Sequence, residues 1–458
     1  MSLLSKIAIG NVRRNLKDFG VYFAALAAGA CLIYSYTASG DYLFMLVEDE
    51  LVRKIFVTEA RYIMAFGILP LLVFVNVASY ANKFLIRRRL PEFALYELAG
   101  LEKRNVNTVL RLETTLVAGS ALVTGLIAGV LISPFVELIV AWAYRLPARF
   151  IMVFSPFGIT LTAIVFVLTI VILSRGSRRV LRKSTLLRMM VAKKENDASK
   201  PILGGRAVVE LIFGVALVAA VYIICLNAPT TFLVWMFPLG ACAIFGSFFI
   251  FRSTLALLPR FIKKVPGLWY RGLTAFTVRQ TEGVARNAAK AMTCSAALSS
   301  VGMCMFVFAV VLHDKIGALA LERETQFEEA SGLIGALIFT CAFYAVVLLV
   351  FASVILAIQQ LSLASDNRER YRKLVELGAS NRMLSESLLA GVLFNFALPG
   401  IFTAVHAIFG LNVIRFMSIG LLQADIEPAI WPVAALTLAG FVVYFLITYA
   451  GARRNALA

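Results

Sequence analysis

Long uncharged, mostly apolar runs recur along the chain, and short polar segments rich in Lys and Arg separate them. A helix crossing ~30 Å of hydrocarbon needs about 20 such residues. The runs therefore predict about ten membrane-spanning helices, near Gly20–Ser39, Ile63–Ala81, Thr114–Val140, Phe150–Ser174, Ala207–Leu226, Thr230–Phe251, Ala288–Leu312, Ser331–Ala364, Ser387–Phe409 and Ile430–Ala450. The expected fold class is all-α and polytopic.

Before the first span, Leu3, Leu4, Ile7, Ala8, Val12 and Leu16 recur at helical spacing, opposite Lys6, Arg13, Arg14 and Lys17. Residues 1–19 thus predict an amphipathic helix on the membrane surface, where the four cations meet anionic lipid or simply anchor the chain. A weak internal repeat follows. The segment after the second span superposes on the one after the eighth with a shift of 278 residues, which places Phe93 on Tyr371, Gly100 on Gly378 and Arg104 on Arg382. Arg13-Arg14-Asn15 is loosely echoed by Arg279-Gln280. The organisation expected is a four-span unit over 20–200, two inserted spans over 201–265 and a second four-span unit over 266–458. Small residues mark close packing: Gly125 and Gly129 form a GxxxG, with Ala24, Ala25, Ala28 and Gly29 in the first span and Ser295, Ser299 and Gly302 in the seventh. A contact between the first and seventh spans is expected from the repeat.

Composition fits lipid as the solvent. Of 458 residues, 60% are hydrophobic and 15% charged, with a mean hydropathy of +0.86. The net charge of +18 invites a nucleic-acid reading, but topology accounts for it. With the N-terminus inside, and Lys290 at the inner edge of the seventh span counted with its neighbours, 36 of the 44 Lys and Arg fall on the inner side and 8 on outer segments, the asymmetry of the positive-inside rule. Both termini are then cytoplasmic. The six cysteines lie in spans with no CxxC pair, so they read as packing residues. Ala28-Gly29-Ala30-Cys31 has the look of a lipoprotein cleavage site, but the full-span length of Gly20–Ser39 favours an uncleaved helix.

Catalytic equipment is sparse. His313 and His406 stand apart, without a Cys or second His to complete a metal site, and no GxxxxGK[ST], HExxH or GxSxG motif occurs. No catalytic residue, metal or cofactor is expected in this chain. Glu113, Glu137 and Glu210 sit near span ends, from which a carboxylate can reach the interface. The deeper polar groups, Asn76, Gln359, Gln360 and Asn395, are neutral and suit hydrogen bonds between helices.

The repeated basic segments carry the functional signal. Phe93, Tyr96 and Gly100 cluster on one side of a short helix, while Glu92, Glu97 and the basic residues project elsewhere. Pro91 suits the first turn of a new helix, and Gly100 and Gly378 suit helix ends needing a left-handed residue. Joined rigidly to a span, such an element passes a partner's motion into the membrane; alternatively it is a solvated loop that only sets topology. The stretch beginning at Arg87, "RRRLPEFALYELAGLEKRNV", resembles the cytoplasmic element of FtsX-like permease domains of ABC transporters, and "RKLVELGASNR" from Arg372 resembles its second copy. "IAIGNVRRN" from Ile7 is similar to the interfacial segment before the first span in that family.

The resemblance implies two FtsX-like four-helix repeats plus two inserted helices, similar to the bacitracin-resistance, BceB-like branch. It implies a permease in a bacterial cell membrane, with ATP and Mg bound by a separate ABC ATPase in two copies, and a sensor histidine kinase as a further partner. The coupling residues expected are Arg88, Pro91, Glu92, Tyr96, Glu97, Gly100 and Arg104 in the first copy, with Arg370, Tyr371, Glu376, Gly378 and Arg382 in the second. The expected substrate is a lipid, a lipid-linked precursor or an amphipathic, antimicrobial peptide at the outer leaflet. One departure stands out. The branch carries a large extracellular domain between the seventh and eighth spans, where residues 313–330 here suffice only to extend the two helices. With Gly40–Arg61, this acidic stretch is either a cation-attracting surface or a solvated rim. Two other readings remain open: a secondary carrier, which needs a midplane acid, and a membrane scaffold that regulates a partner.

Overall fold

The structure, a computed structural model, describes residues 3–14, 16–46, 68–147, 149–183, 185–186, 189–190, 204–322 and 327–457. At some positions inside its helices, among them Lys17, Arg88, 316–322 and 327–333, only the backbone is described. The helices are α1 (Leu3–Arg14), α2 (Leu16–Leu46), α3 (Ile68–Leu98), α4 (Lys103–Tyr144), α5 (Pro156–Lys183), α6 (Gly204–Asn227), α7 (Pro229–Val234), α8 (Met236–Lys263), α9 (Pro266–Trp269), α10 (Thr274–Glu322), α11 (Phe327–Asp366), α12 (Arg368–Glu376), α13 (Asn381–Met417) and α14 (Glu427–Leu457). A π turn, Ser418–Leu422, follows α13. Among the described residues no strand occurs, and nine helices are long and apolar enough to cross a membrane. In lipid a backbone group finds no water, so apolar segments of this length close their hydrogen bonds internally as helices. The predicted span Ile63–Ala81 begins outside the described residues, and its described part opens α3.

The helices overrun the apolar runs that predicted them. α4 extends eleven residues before Thr114, and α10 and α11 run on to Glu322 and back to Phe327. Pro91 does not start a new helix: it lies inside α3. Arg89, Leu90, Phe93 and Ala94, buried on either side of it, hold both turns against one core, so a single missing N–H bond is tolerated.

The chain forms two compact units, 1–194 with 312–347, and 195–311 with 348–458. In the first, α2 packs along α4 at the GxxxG. A Cβ on Gly125 would lie 2.6 Å from the Ala27 carbonyl oxygen, and one on Gly129 would lie 2.8 Å from the Tyr34 ring. The GxxxG thus packs on Ala27, Ala30, Cys31 and Tyr34 of the first span, which lets the two backbones approach, while Gly29, one of the small residues read from the sequence, faces Phe74 of α3 instead. Tyr34 Oη donates to the Val153 carbonyl (3.0 Å) and accepts from Ser155 N–H (3.1 Å), fixing α2 to the α4–α5 connection. Asn82 donates to Ser177 Oγ (2.9 Å), joining α3 to α5.

In the second unit, α6 and α8 form a tight hairpin. A Cβ on Gly214 would meet the Gly246 carbonyl oxygen at 2.8 Å, and one on Gly246 would meet the Gly214 carbonyl oxygen at 2.9 Å. His406 on α13 holds this hairpin through Tyr222 Oη (2.5 Å to Nδ1) and Ser247 Oγ (2.9 Å to Nε2). These two contacts tie α13 to the α6–α8 hairpin. Asn395 donates to Gln360 Oε1 (3.4 Å), linking α13 to α11. The six cysteines are free.

Candidate functional site

The first repeated segment is the end of α3, a four-residue connection (99–102) and the start of α4. Its glycine closes the helix. Gly100 has φ +92°, its N–H bonds the Glu97 carbonyl (3.1 Å), and Leu101 N–H bonds the Tyr96 carbonyl (3.0 Å). This is a Schellman ending, whose carbonyls would otherwise be orphaned. The second segment repeats it bond for bond. Gly378 has φ +91°, its N–H bonds the Val375 carbonyl (2.9 Å), and Ala379 N–H bonds the Leu374 carbonyl (2.9 Å). Every partner is displaced by the 278 residues of the sequence repeat, and α13 starts 278 residues after α4.

Because L side chains rarely adopt such φ values, Gly100→Ala or Gly378→Ala should each cost about 1–2 kcal/mol. A lower melting temperature of the detergent-solubilised chain is the readout; an unchanged one would show that the turns carry no strain for a side chain.

Beneath the first turn lies a buried polar network. Arg89 and Glu113 have fully buried side chains and form an ion pair, with a second contact of 3.2 Å from Arg89 Nη2 to Glu113 Oε1. Arg89 also grips Glu92 Oε2 through Nε (3.1 Å) and Nη2 (2.9 Å), and its guanidinium lies 5.0 Å from the Phe19 ring centre and 5.3 Å from that of Phe93. Asn11 donates to Glu113 Oε1 (2.6 Å) and is 2.9 Å from Tyr96 Oη. The surface helix α1, the first span, α3 and α4 therefore meet at one charge pair. An unpaired charge there would cost several kcal/mol, so these groups fix each other's positions.

The second junction differs. Tyr371 is buried and packs edge-on against Phe276 (5.5 Å). Burial pushes its phenol above the ordinary value, which keeps it neutral. Thr277 and Ser387 hydroxyls are 2.6 Å apart.

The expected coupling residues divide by exposure. Gly100, Arg104, Glu376, Gly378 and Arg382 are exposed; Glu376 pairs with Arg372 (3.4 Å) and Arg382 with Glu386 (2.8 Å). Pro91, Glu92, Tyr96 and Glu97 are half-buried, Arg370 donates to Asn367 (3.4 Å), and the Arg88 side chain lies outside the description. Glu92 does not project away from the aromatic face; it turns onto Arg89. Lys6, Arg13 and Arg14 are exposed on α1, while the Lys17 side chain lies outside the description.

Neither Glu113 nor Glu137 reaches an interface, because both are buried; Glu137 is 1% exposed and lies beside the Ser133 hydroxyl and the Val153 backbone N–H. Glu210 is instead held by Arg206 (3.0 Å) and Arg252 (3.3 Å). Arg89 and Asn11 are not among the residues singled out from the sequence, and Glu113 was expected at the interface rather than in a buried pair. The signal was available in the spacing: Arg89 falls on the stripe of Ile86, Leu90 and Phe93, and Glu113 on that of Val106, Val109, Leu110 and Val117. One cation and one acid, each on the apolar stripe of adjoining helices, point to a buried pair.

The exposed tips are apolar where a solvated loop would be polar. Leu95 and Leu98 are 62% and 55% exposed on the first, Val375 and Leu377 50% and 83% on the second. They stand among the exposed cations Lys103, Arg104, Arg372 and Lys373.

Fold and site define a polytopic helical membrane protein with two copies of one span–turn–span junction. Residues 62–186, which contain the first junction, match the FtsX-like permease C-terminal family. The chain is similar to the bacitracin export permease protein BceB of Halalkalibacterium halodurans, 23% identical over 270 residues, covering 57% of this chain and 41% of the relative. It is 22% identical over 275 residues to BceB of Bacillus subtilis (58% and 41%), and 22% to an uncharacterized ABC transporter permease, YvcS, of the same species (59% and 41%). The matched stretch spans 41% of each relative's own length. The likeness to FtsX-like permeases that the motifs implied is thus found by comparison as well.

Proposed function

We propose that this chain is the permease subunit of an ABC transporter, driven by a separate ATPase that docks on the two junctions. The observation that carries this reading is the repeated junction: a rigid helix ending, made twice with the same bonds, that presents an exposed apolar tip among cations. Such a tip is costly to leave in water and suits the apolar centre of a protein interface. Two tips suit two copies of the ATPase, which binds ATP and Mg; with both tips on the inner side of a bacterial cell membrane, both termini are cytoplasmic.

ATP-driven closure of the ATPase pair pushes the tips. At the first junction the push passes through the Arg89–Glu113 pair into α3 and α4; at the second it passes through α12 into α11 and α13. The substrate is a lipid, a lipid-linked precursor or an amphipathic antimicrobial peptide at the outer leaflet, a choice supported by the bacitracin export assigned to two relatives. A sensor histidine kinase is a further partner on the same family likeness.

Bacitracin is the direct probe. The ATPase activity of the purified complex in lipid nanodiscs should change on adding bacitracin with its lipid-linked target, and cells with an ATPase-dead partner should lose resistance. A second reading, a proton-coupled carrier, is favoured by the buried carboxylate of Glu137. Resistance or transport that survives an ATPase-dead partner and is lost in Glu137→Gln would establish it instead.

A further inference from the structure

The residues of the first junction, advanced by 278, fall on the walls of a cavity in the second. Arg89 corresponds to Asn367, Glu113 to Gly391, Leu110 to Leu388 and Phe93 to Tyr371, all four of which line a space of about 30 Å³. Where the first junction is filled by a guanidinium and a carboxylate, the second has an amide and a hydrogen atom. The space that results is bounded by Thr277 and Gln280 of α10, Gln360 of α11 and Asn395 of α13.

Three facts define what this cavity takes. Its volume suits two small guests, since one water needs about 10–15 Å³ of such space. Its lining has no charged side chain, so neither a cation nor an anion finds a counter-charge there, and the guest is neutral. Its polar groups are incompletely matched. Gln360, 3% exposed, spends Oε1 on Asn395 Nδ2 while its Nε2 has no partner among the described residues, and the solvent-excluded Nε2 of half-buried Gln280 has none either. A buried donor without an acceptor costs about 1–3 kcal/mol, and cavities that stay dry are apolar ones.

We propose that this cavity is a hydration site in which two water molecules accept hydrogen bonds from Gln280 and Gln360, standing where the first junction has its ion pair. Waters re-form their bonds on movement more readily than a buried charge pair does, so the second junction is the more compliant of the two.

Hydroxyl-radical footprinting by X-ray pulses, read by mass spectrometry on the full chain in nanodiscs, tests this. Radicals made from a bound water label the buried side chains beside it. Leu388 and Leu110 are the matched pair, being the same residue type at corresponding positions and both buried. Leu388 should be labelled several-fold faster than Leu110, and Tyr371 faster than Phe93. Gly391→Val, whose Cβ meets only Thr277 Cγ2 at 3.7 Å, should fill the space and bring Leu388 down to the rate of Leu110. Equal labelling of the two leucines in the unmodified protein would overturn the proposal. So would unchanged Leu388 labelling in a Gly391→Val chain of normal melting temperature. If that variant does not fold, the comparison within the unmodified protein decides.

Discussion

Arg89→Met will destabilise the first unit by about 3–5 kcal/mol, Glu113→Leu by a comparable amount, and the double variant by much less than either. The reason lies in what each change leaves behind. With either partner gone, the other remains as a charge in a site fully closed to solvent, short of its counter-ion. Glu92 offers Arg89 partial compensation, whereas Glu113 keeps only Asn11, so Arg89→Met is the more severe. Removing both charges leaves an apolar contact of similar volume beside Phe19 and Phe93. Thermal melting of the full chain in detergent reads all three variants. Additive losses in the double variant would show that the two residues do not act as a buried pair.

The second large effect concerns the exposed tip. Leu95→Asp with Leu98→Asp should weaken ATPase binding by about 2–4 kcal/mol, roughly 30- to 1000-fold, because central apolar anchors dominate interface energies. Both side chains are more than half exposed, so the melting temperature of the isolated permease should not move. That separation is what charge reversal of Glu92 and Glu97 cannot offer, since Glu92 holds the buried Arg89 and its reversal would disturb the junction itself. Measured by binding of the purified ATPase to nanodisc-held permease, undiminished affinity in the double variant would move the docking surface elsewhere.

The spans were legible because lipid leaves an apolar run few alternatives to a helix, and the two glycines because helix endings of this kind need a left-handed residue. Gly100 and Gly378 were found from a repeat of only a few matching letters, and their φ values differ by one degree. Pro91 misled for a local reason: proline's preference for a helix start was outweighed by the packing of Arg89, Leu90, Phe93 and Ala94 on both sides of it. Arg89 was hidden within a run of three arginines, where charge counting sees topology and only the helical phase singles out the buried one. Glu113 and Glu137 were placed by their distance from span ends, a coordinate that ignores which face of the helix a side chain occupies. The cavity beside Gly391 was beyond the sequence, because it exists only where α10, α11 and α13 meet.

On the proposed function, a separate ATPase works this chain through its two junctions. The most direct test is purification of the tagged full chain from native membranes in mild detergent, followed by native mass spectrometry. A nucleotide-binding ATPase should copurify at two copies per permease and be lost when Leu95, Leu98, Val375 and Leu377 are all replaced by Asp. A chain that purifies alone, even after crosslinking in the membrane, would contradict it.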